Sequence, residues 1–429
     1  MKISGSVIIF LVFLSASRCG DEDILDSDRG EVGMYGNKFI WTGTGEAFVP
    51  NYIMIDALTR NINSEEFEKF GEMGFSFQAG NYSDLRFITE ENLEKFIDEF
   101  MHGHGFNGVH VPVYGQWFHI GDNVVTESDS IPDPRTFDKL EMIIRKVYEA
   151  GGSTYLWVWG DHDRRWTPLS TKDAIMGRQE KAVMDMIAER LGPLNGWFMG
   201  YGFDLWEWAG EEDLRKWHDY MWSKPGWNNL LGGRASKNEL NQIYEGLNFS
   251  DYEYHKPWYD ELVKMISARP EKPSLSGDRY RIRRNPPSSW PEKDYDEEET
   301  RKGLWHHTMA GGVGAIWGNL DSPGTYENKD ELKCFSVFWN DHNRFKRDMV
   351  IDNSRTDGYC LREGNQYFVF YKEETNQLSY GFDGRAKRVI AVDTRKAYEE
   401  IDLGRMNAGD YVFNAPYMSD WAIAVGQGR

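Results

Sequence analysis

Short apolar runs alternate with amphipathic stretches along most of the chain, from about residue 37 onward. Short apolar runs are typical of buried strands, whereas apolar residues at helical spacing indicate one face of a helix. The segment 38–43 begins this region, and strand-like runs follow at 108–113, 154–159, 196–200, 230–233, 274–276 and 312–317. Helical spacing occurs at 93–100, 137–147, 182–191 and 262–266. This alternation predicts βα units around a parallel sheet.

The pattern changes at about residue 341, where helical spacing ends. Short β-like runs at 366–371, 388–392 and 421–425 are separated by turn residues, which is typical of a compact antiparallel domain. We therefore predict an α/β fold, a (β/α)8 TIM barrel at 37–340 followed by a small antiparallel β-sandwich domain at 341–429. The acidic segment 19–36 is interpreted as a flexible leader.

The first residues have the pattern of a signal peptide. Lys2 is followed by an apolar run at 7–14 and small residues at 15–17, and that run is too short to span a bilayer. The sequence therefore predicts a signal peptide at 1–18, a secreted or periplasmic protein and no transmembrane helix. Cys19 offers a lipid anchor as an alternative. Cys334 and Cys360 could form a disulfide or remain buried thiols.

The composition limits the classes of molecule that the chain can bind. The formal net charge of −20 argues against binding to nucleic acid or to anionic membranes, because both require basic patches. The 17 Trp, 22 Tyr and 24 Phe residues exceed what the core needs, and exposed flat rings stack on sugar rings. We therefore expect a carbohydrate substrate, and the oligomeric state is left open. No cofactor motif is present, and no metal is predicted, because neighbours such as Asp161, His162 and Asp163 seldom point at one ion.

Polar and aromatic residues follow most of the predicted strands, and in a (β/α)8 barrel the carboxyl ends of the strands carry the active residues. Asp204 and Glu207 follow the fourth strand, and Asp278 follows the seventh, across the barrel. Glycosidic cleavage needs two carboxyl groups, one as acid and the other as nucleophile or base. We therefore predict Asp204 or Glu207 as the acid, Asp278 as its partner, and Glu253 near the sixth strand as the reserve.

Each of these acids also has a structural interpretation, which the sequence leaves open. Asp204 could cap a loop, and Glu207 could lie on the outer face of the following helix. Asp278 could pair with Arg279 or Arg281, and Glu253 could be a solvated loop residue.

The same strand ends supply candidate substrate-binding residues. Arginine binds carboxylate or sulfate through paired hydrogen bonds, so the arginines favour an anionic sugar such as a uronate, with salt bridges to nearby acids as the alternative. His110 lies on an apolar strand and could equally be a core histidine. The predicted substrate-binding residues are His110, Tyr114, Trp117, Trp159, Asp161, His162, Arg164, Trp166, Arg234, Tyr254, His255, Arg279, Arg281, Trp317 and Asn319.

Several of these segments resemble apiosidase-like glycoside hydrolases, which combine a (β/α)8 barrel with a small C-terminal β-domain. The similar segments are 39–43, 105–109, 159–161, 202–204 and 420–423, and the resemblance covers roughly 37–428. It implies an acid/base at the end of strand four and a nucleophile on strand seven. Related retaining enzymes have Gly-Asn-Glu at the strand-four end, where this chain has Gly200, Tyr201 and Gly202.

Three functions follow from these observations. The first is a glycoside hydrolase that acts on a plant or algal polysaccharide or oligosaccharide. The second is a non-catalytic barrel that binds carbohydrate. The third is a uronate polysaccharide lyase, in which Tyr or His removes a proton and arginine neutralises the carboxylate.

Overall fold

The computed structural model describes residues 29–55, 85, 88–113, 117, 132–159, 176–202, 205, 208–235, 244–252, 258–276, 296–312, 314–317 and 329–426. Within these ranges, the side chains of 234, 235, 252 and 315–317 are not described.

Eight parallel strands close into the predicted barrel. They are β4 (Asn51–Met54), β5 (Gly108–Pro112), β6 (Ser153–Trp159), β7 (Trp197–Gly202), β8 (Leu231–Ala235), β9 (Phe249–Tyr252), β10 (Ser274–Ser276) and β11 (Ala315–Trp317). Each strand pairs with its neighbour in sequence, and β11 pairs with β4 to complete the ring. The first of these strands, β4, was not identified from the sequence.

Helices follow the strands along the chain. They are α1 (Glu90–Phe96), α2 (Pro134–Glu149), α3 (Arg178–Met186), α4 (Glu211–Trp222), α5 (Tyr259–Ser267), α6 (Glu297–Met309) and α7 (Lys329–Ser336). Wider helical turns extend α1, α3 and α7 at Ile97–Gly103, Ile187–Leu191 and Val337–Asp341.

Helix α2 shows why the sequence folds in this way. The Asp133 carboxylate accepts from the backbone N–H of Arg135 at 3.0 Å, and Pro134 occupies the first turn, where its missing N–H is not needed. The buried face consists of Thr136, Phe137, Leu140, Ile143, Ile144 and Val147. Gly151 follows the helix with φ of 89°, a conformation that favours glycine.

An antiparallel sheet precedes the barrel and closes its amino end. Strands β1 (Val32–Tyr35), β2 (Lys38–Trp41) and β3 (Ala47–Phe48) pair in this order. The Phe39 ring lies 5.1 Å from that of Phe198 and 5.5 Å from that of Phe249, both near the starts of their strands. The sequence predicted that segment 38–43 begins the barrel. In the structure this segment belongs to the N-terminal sheet and contributes no barrel strand.

Residues 29–36, interpreted from the sequence as the end of a flexible leader, are ordered. The Arg29 guanidinium lies between the rings of Trp41 and Tyr148, at 4.2 and 4.7 Å from their centroids. It also donates to the carbonyl oxygens of Tyr148 and Gly151, both at 2.5 Å. These are carbonyls at the end of α2, so Arg29 fixes the N-terminal sheet to a barrel helix.

The C-terminal region is a six-stranded antiparallel sheet in the order β12-β13-β14-β17-β15-β16. The strands are β12 (Val350–Ile351), β13 (Tyr359–Glu363), β14 (Tyr367–Phe382), β15 (Lys387–Asp393), β16 (Ile401–Met406) and β17 (Gly409–Val425). Register shifts between Lys372 and Gln377 interrupt the pairing of β14 with β17. The ring of Phe368 lies 6.2 Å from that of Phe382, at the other end of the same strand. The long strands therefore fold back and enclose a second apolar core.

Buried charges and rings join this region to the barrel. Arg301 on α6 donates through Nε to Asp420 Oδ2 at 2.9 Å and through Nη1 to Glu331 at 3.0 Å. The Tyr371 ring stacks on Trp305 with centroids 4.8 Å apart. One face of the C-terminal sheet thus packs on the barrel, and the other faces its own core.

Cys334 and Cys360 are buried free thiols, so the second of the two alternatives for this pair holds. Burial raises the pKa of each thiol to about 12, which leaves both unreactive near neutral pH. Within the described ranges, no helix is both long and apolar enough to span a bilayer.

Candidate active site

A hydrogen bond crosses the interior of the barrel. The Tyr155 hydroxyl on β6 donates to Asp251 Oδ2 on β9 at 3.1 Å, although these strands are not neighbours in the ring. The Tyr155 hydroxyl also accepts from Trp157 Nε1 at 2.7 Å. All three side chains are buried. We call Tyr155, Trp157 and Asp251 the interior polar cluster.

Aromatic rings lie between this cluster and the amino end of the barrel. Tyr155 stacks on Phe198 with centroids 4.8 Å apart and meets Phe249 edge-on at 5.6 Å. Because Phe39 covers Phe198 and Phe249 from outside, the amino end is filled with apolar rings. A substrate therefore has to enter from the carboxyl end of the strands, as in other (β/α)8 barrels.

His110 on β5 packs against the cluster. Its ring lies 4.1 Å from that of Trp157, edge to face, and 5.1 Å from that of Tyr155. The side chain is fully buried, and its contact with substrate stays a prediction.

Gly200 on β7 makes room for the cluster. A Cβ atom at this position would lie 2.4 Å from the Tyr155 hydroxyl oxygen and 2.9 Å from Trp157 Cδ1. Both distances are too short for a real contact, so any larger residue would displace the two rings.

A buried carboxyl group ties the carboxyl ends of β6 and β7 together. Glu180 Oε1 accepts from Trp159 Nε1 at 3.1 Å and from the Tyr201 hydroxyl at 2.6 Å. The other oxygen, Oε2, accepts from the backbone N–H of Met176. Burial raises the pKa of Glu180, while these hydrogen bonds oppose the shift. The strand ends held by Glu180 lead in the chain to Asp161 and to Asp204.

Trp117 and Trp159, predicted to bind substrate, are both buried in the structure. Trp117 is fully buried, donates through Nε1 to the carbonyl oxygen of Val158 at 2.9 Å, and lies 5.4 Å from the Phe137 ring. Trp159 is 5% exposed and engaged with Glu180.

For two of the predicted substrate-binding residues, the structure describes the backbone but not the side chain. Arg234 lies in β8 and pairs with Asp251 in the parallel register. Trp317 lies in β11 and pairs with Ile53. The register thus brings Arg234 beside the interior polar cluster.

The acids predicted to be catalytic, Asp204, Glu207, Glu253 and Asp278, lie outside the described residues. The same holds for Tyr114, Asp161, His162, Arg164, Trp166, Tyr254, His255, Arg279, Arg281 and Asn319. What the structure defines is where their strands end. Strand β7 ends at Gly202 and β10 ends at Ser276, so Asp204 and Asp278 each follow two positions later in the chain.

Asp251 was not singled out from the sequence. It stood in the polar segment expected near the sixth strand, whereas the structure places it within β9, fully buried in the barrel. The available signal was an acid inside a strand: an ionised carboxylate is expensive to bury, so an acid there indicates a specific partner.

A surface groove of about 750 Å³ lies on the outside of the barrel, between α2 and the segment that follows α3. It is lined by residues that include Glu141, Arg145, Tyr148 and Arg190, and the Arg190 guanidinium donates to Glu141 at 2.7 Å. The groove is therefore distinct from the strand ends that carry the candidate acids.

Among the described residues, no three His, Cys, Asp or Glu side chains group as a metal site.

No protein-family model matches the chain, and no curated protein matches it. A solved structure described as a glycoside hydrolase is similar, with 14% identity and a TM-score of 0.66, over 94% of this chain and 98% of its own. A glycoside hydrolase family 5 protein from Bacteroides vulgatus has 14% identity and a TM-score of 0.63, over 93% of each chain. A putative glycoside hydrolase from the same organism has 12% identity and a TM-score of 0.63, over 93% of this chain and 83% of its own.

The chain therefore shares the fold of glycoside hydrolases over nearly its whole length. At these identities the likeness concerns the fold alone. The narrower resemblance to apiosidase-like enzymes stays a prediction.

Proposed function

We propose that the chain is an exported glycoside hydrolase that cleaves glycosidic bonds of a polysaccharide or oligosaccharide. The observation that carries the proposal is the closed barrel, whose fourth and seventh strands continue in the chain into Asp204 and Asp278. The fold shared with glycoside hydrolases supports the same reaction class. Export rests on the signal-peptide pattern of residues 1–18.

The barrel order supports a pair of acids that act from two sides. Between β7 and β10 stand two strands in one direction, β8 and β9, and four in the other. The ends of β7 and β10 therefore lie at separate points of the ring, from which two acids could act on one bond. One carboxyl group would protonate the leaving oxygen, and the other would attack the anomeric carbon or activate water. Asp204 or Glu207 takes the first role in this proposal, and Asp278 takes the second, with Glu253 in reserve.

The interior polar cluster supports the proposal as a rigid floor beneath the mouth. Tyr155, Trp157 and Asp251 are held by hydrogen bonds across the barrel and rest on the packed rings of Phe198 and Phe249. A floor of this kind keeps the strand ends at a fixed separation, which catalysis by two acids on one substrate bond requires.

The test is incubation of the full chain with neutral, uronate-containing and sulfated polysaccharides of plants and algae. New reducing ends without the ultraviolet absorbance of an unsaturated uronate support hydrolysis. The same ends accompanied by that absorbance indicate the lyase. Binding without products indicates the non-catalytic barrel. The arginines at 164, 279 and 281 are the reason to include anionic sugars.

Variants then assign the acids. Asp278→Asn should lower turnover at least about 100-fold, the usual contribution of a group that transfers a proton or attacks in the transition state. Asp219→Asn is the matched control, because Asp219 is a partly exposed acid on α4. Activity near wild type in Asp278→Asn would remove Asp278 from the mechanism.

A further inference from the structure

One indole in the described part of the chain is largely in solvent. Trp258 is 77% exposed, more than any other large hydrophobic side chain in the described ranges. An exposed indole presents a large flat apolar face with a polar N–H at its edge, which is a surface on which a ligand can stack.

The place of Trp258 in the fold is the rim that carries the candidate acids. Strand β9 ends at Tyr252, and α5 begins at Tyr259, so Trp258 stands where the chain enters the helix after the sixth barrel strand. In a (β/α)8 barrel the helices run back along the strands, so their starts lie at the carboxyl rim. Trp222, which is 41% exposed, is the last residue of α4 and therefore lies at the opposite rim.

The backbone of Trp258 is fixed although its ring is exposed. Its N–H donates to Glu261 Oε2 at 2.9 Å, and its carbonyl oxygen accepts from the backbone N–H of Glu261 at 3.0 Å. The helix that follows is anchored by the buried side chains of Tyr259, Leu262 and Ile266. The ring is thus presented from a rigid base, which limits the entropy lost when a ligand stacks on it.

We propose that Trp258 is a stacking platform for a neutral sugar unit of the polysaccharide, outside the cleavage point. The flat apolar face of an indole matches the C–H face of a sugar ring. Asp260 is an exposed acid two residues after Trp258 in the first turn of α5 and would repel a uronate or a sulfated unit. Its carboxylate can instead accept hydrogen bonds from sugar hydroxyls. The inference rests on the proposed function for the nature of the ligand.

The test is electrophoresis of the full chain in native gels that contain xylan, galactomannan or polygalacturonate. Retardation at several polymer concentrations gives a dissociation constant for the wild type and for Trp258→Ala, Trp258→Phe and Trp222→Ala. We expect the wild type to bind a neutral polymer, and Trp258→Ala to bind it about tenfold more weakly, the loss of roughly one stacked aromatic contact. Trp258→Phe should restore most of the affinity, and Trp222→Ala should match the wild type.

Three results would overturn the inference: no retardation of the wild type by either neutral polymer, unchanged affinity in Trp258→Ala, or an equal loss in Trp222→Ala. A loss confined to polygalacturonate would contradict the neutral sugar. Thermal unfolding of Trp258→Ala should match the wild type, because the side chain is exposed. The gels measure binding and the reducing-end assay measures cleavage. Binding through Trp258 without cleavage would therefore support this inference and refute the hydrolase.

Discussion

The Tyr155 hydroxyl donates a hydrogen bond to Asp251 across the barrel, from the third strand to the sixth. Both residues are buried, and Trp157 Nε1 donates to the same hydroxyl. This link joins two strands that share no backbone hydrogen bonds, so it contributes to the shape of the barrel directly beneath the mouth.

Tyr155→Phe removes this link while keeping the ring. We expect the free energy of unfolding to fall by about 1–3 kcal/mol, because polar groups of Asp251 and Trp157 lose a partner in a buried site. Urea unfolding measures the change. Tyr411→Phe is the control, since its hydroxyl donates to Asn407 at an exposed site; equal stability losses in the two variants would contradict the role of the interior link.

Gly200→Ala tests the space for the interior polar cluster. The added methyl group would overlap the Tyr155 hydroxyl and the Trp157 ring, so we expect a loss of stability of about 1–3 kcal/mol, the usual effect of overpacking. Any polysaccharide cleavage should fall as well, because the floor of the mouth shifts. A variant with wild-type stability and activity would show that the cluster adapts without strain.

The buried Glu180 carboxyl should make the stability of the protein depend on pH. Burial raises the pKa of this carboxyl above its ordinary 4.5, so the folded state keeps the proton to a higher pH than the unfolded state does. The contribution of Glu180 to the free energy of unfolding therefore falls as the pH rises from its pKa in the unfolded state through its higher pKa in the folded state.

Glu180→Gln cannot ionise and should lack this decline. The difference in free energy of unfolding, variant minus wild type, should therefore increase as the pH rises above the ordinary pKa of a glutamate. Urea unfolding across a pH series measures it. Lost hydrogen bonds to Trp159 or Tyr201 would add a constant offset, so a difference that stays flat or decreases with pH would rule out the shift.

The Asp420 carboxylate tests how much the contact between the C-terminal sheet and the barrel contributes to stability. Asp420→Ala leaves the buried Arg301 without one of its two carboxylate partners, which should destabilise the protein by about 3–5 kcal/mol. Asp402→Ala in the same sheet removes an exposed pair with Arg388 and should change stability by less than about 1 kcal/mol. Similar losses in both variants would contradict the importance of the buried pair.

The sequence predicted most of the barrel because buried parallel strands appear as continuous apolar runs. It did not reveal β4, a run of four residues directly after Pro50. It also could not separate β2 from a barrel strand: Phe39 is as buried as any barrel residue, since it closes the amino end.

The interior of the site was harder to predict than the order of the strands. The sequence placed Tyr155 in a strand, but it did not reveal β9, which contains Asp251, or that the two side chains meet across a ring of eight strands. Trp117 was expected at the mouth because it follows the second strand, yet it donates to the Val158 backbone and is buried. Whether a loop residue folds back or projects depends on its tertiary partners, which the local sequence does not specify.

The measurement that tests the central claim most directly is cleavage in water enriched in heavy oxygen. A polysaccharide that the chain cleaves is digested in this water, and the products are weighed by mass spectrometry. In a digestion short enough to precede exchange of the anomeric hydroxyl with water, a glycoside hydrolase places one solvent oxygen at each new reducing end, and Asp278→Asn should yield at least about 100-fold less of these products. Products that carry no solvent oxygen, or undiminished labelling by Asp278→Asn, would contradict hydrolysis by this pair of acids.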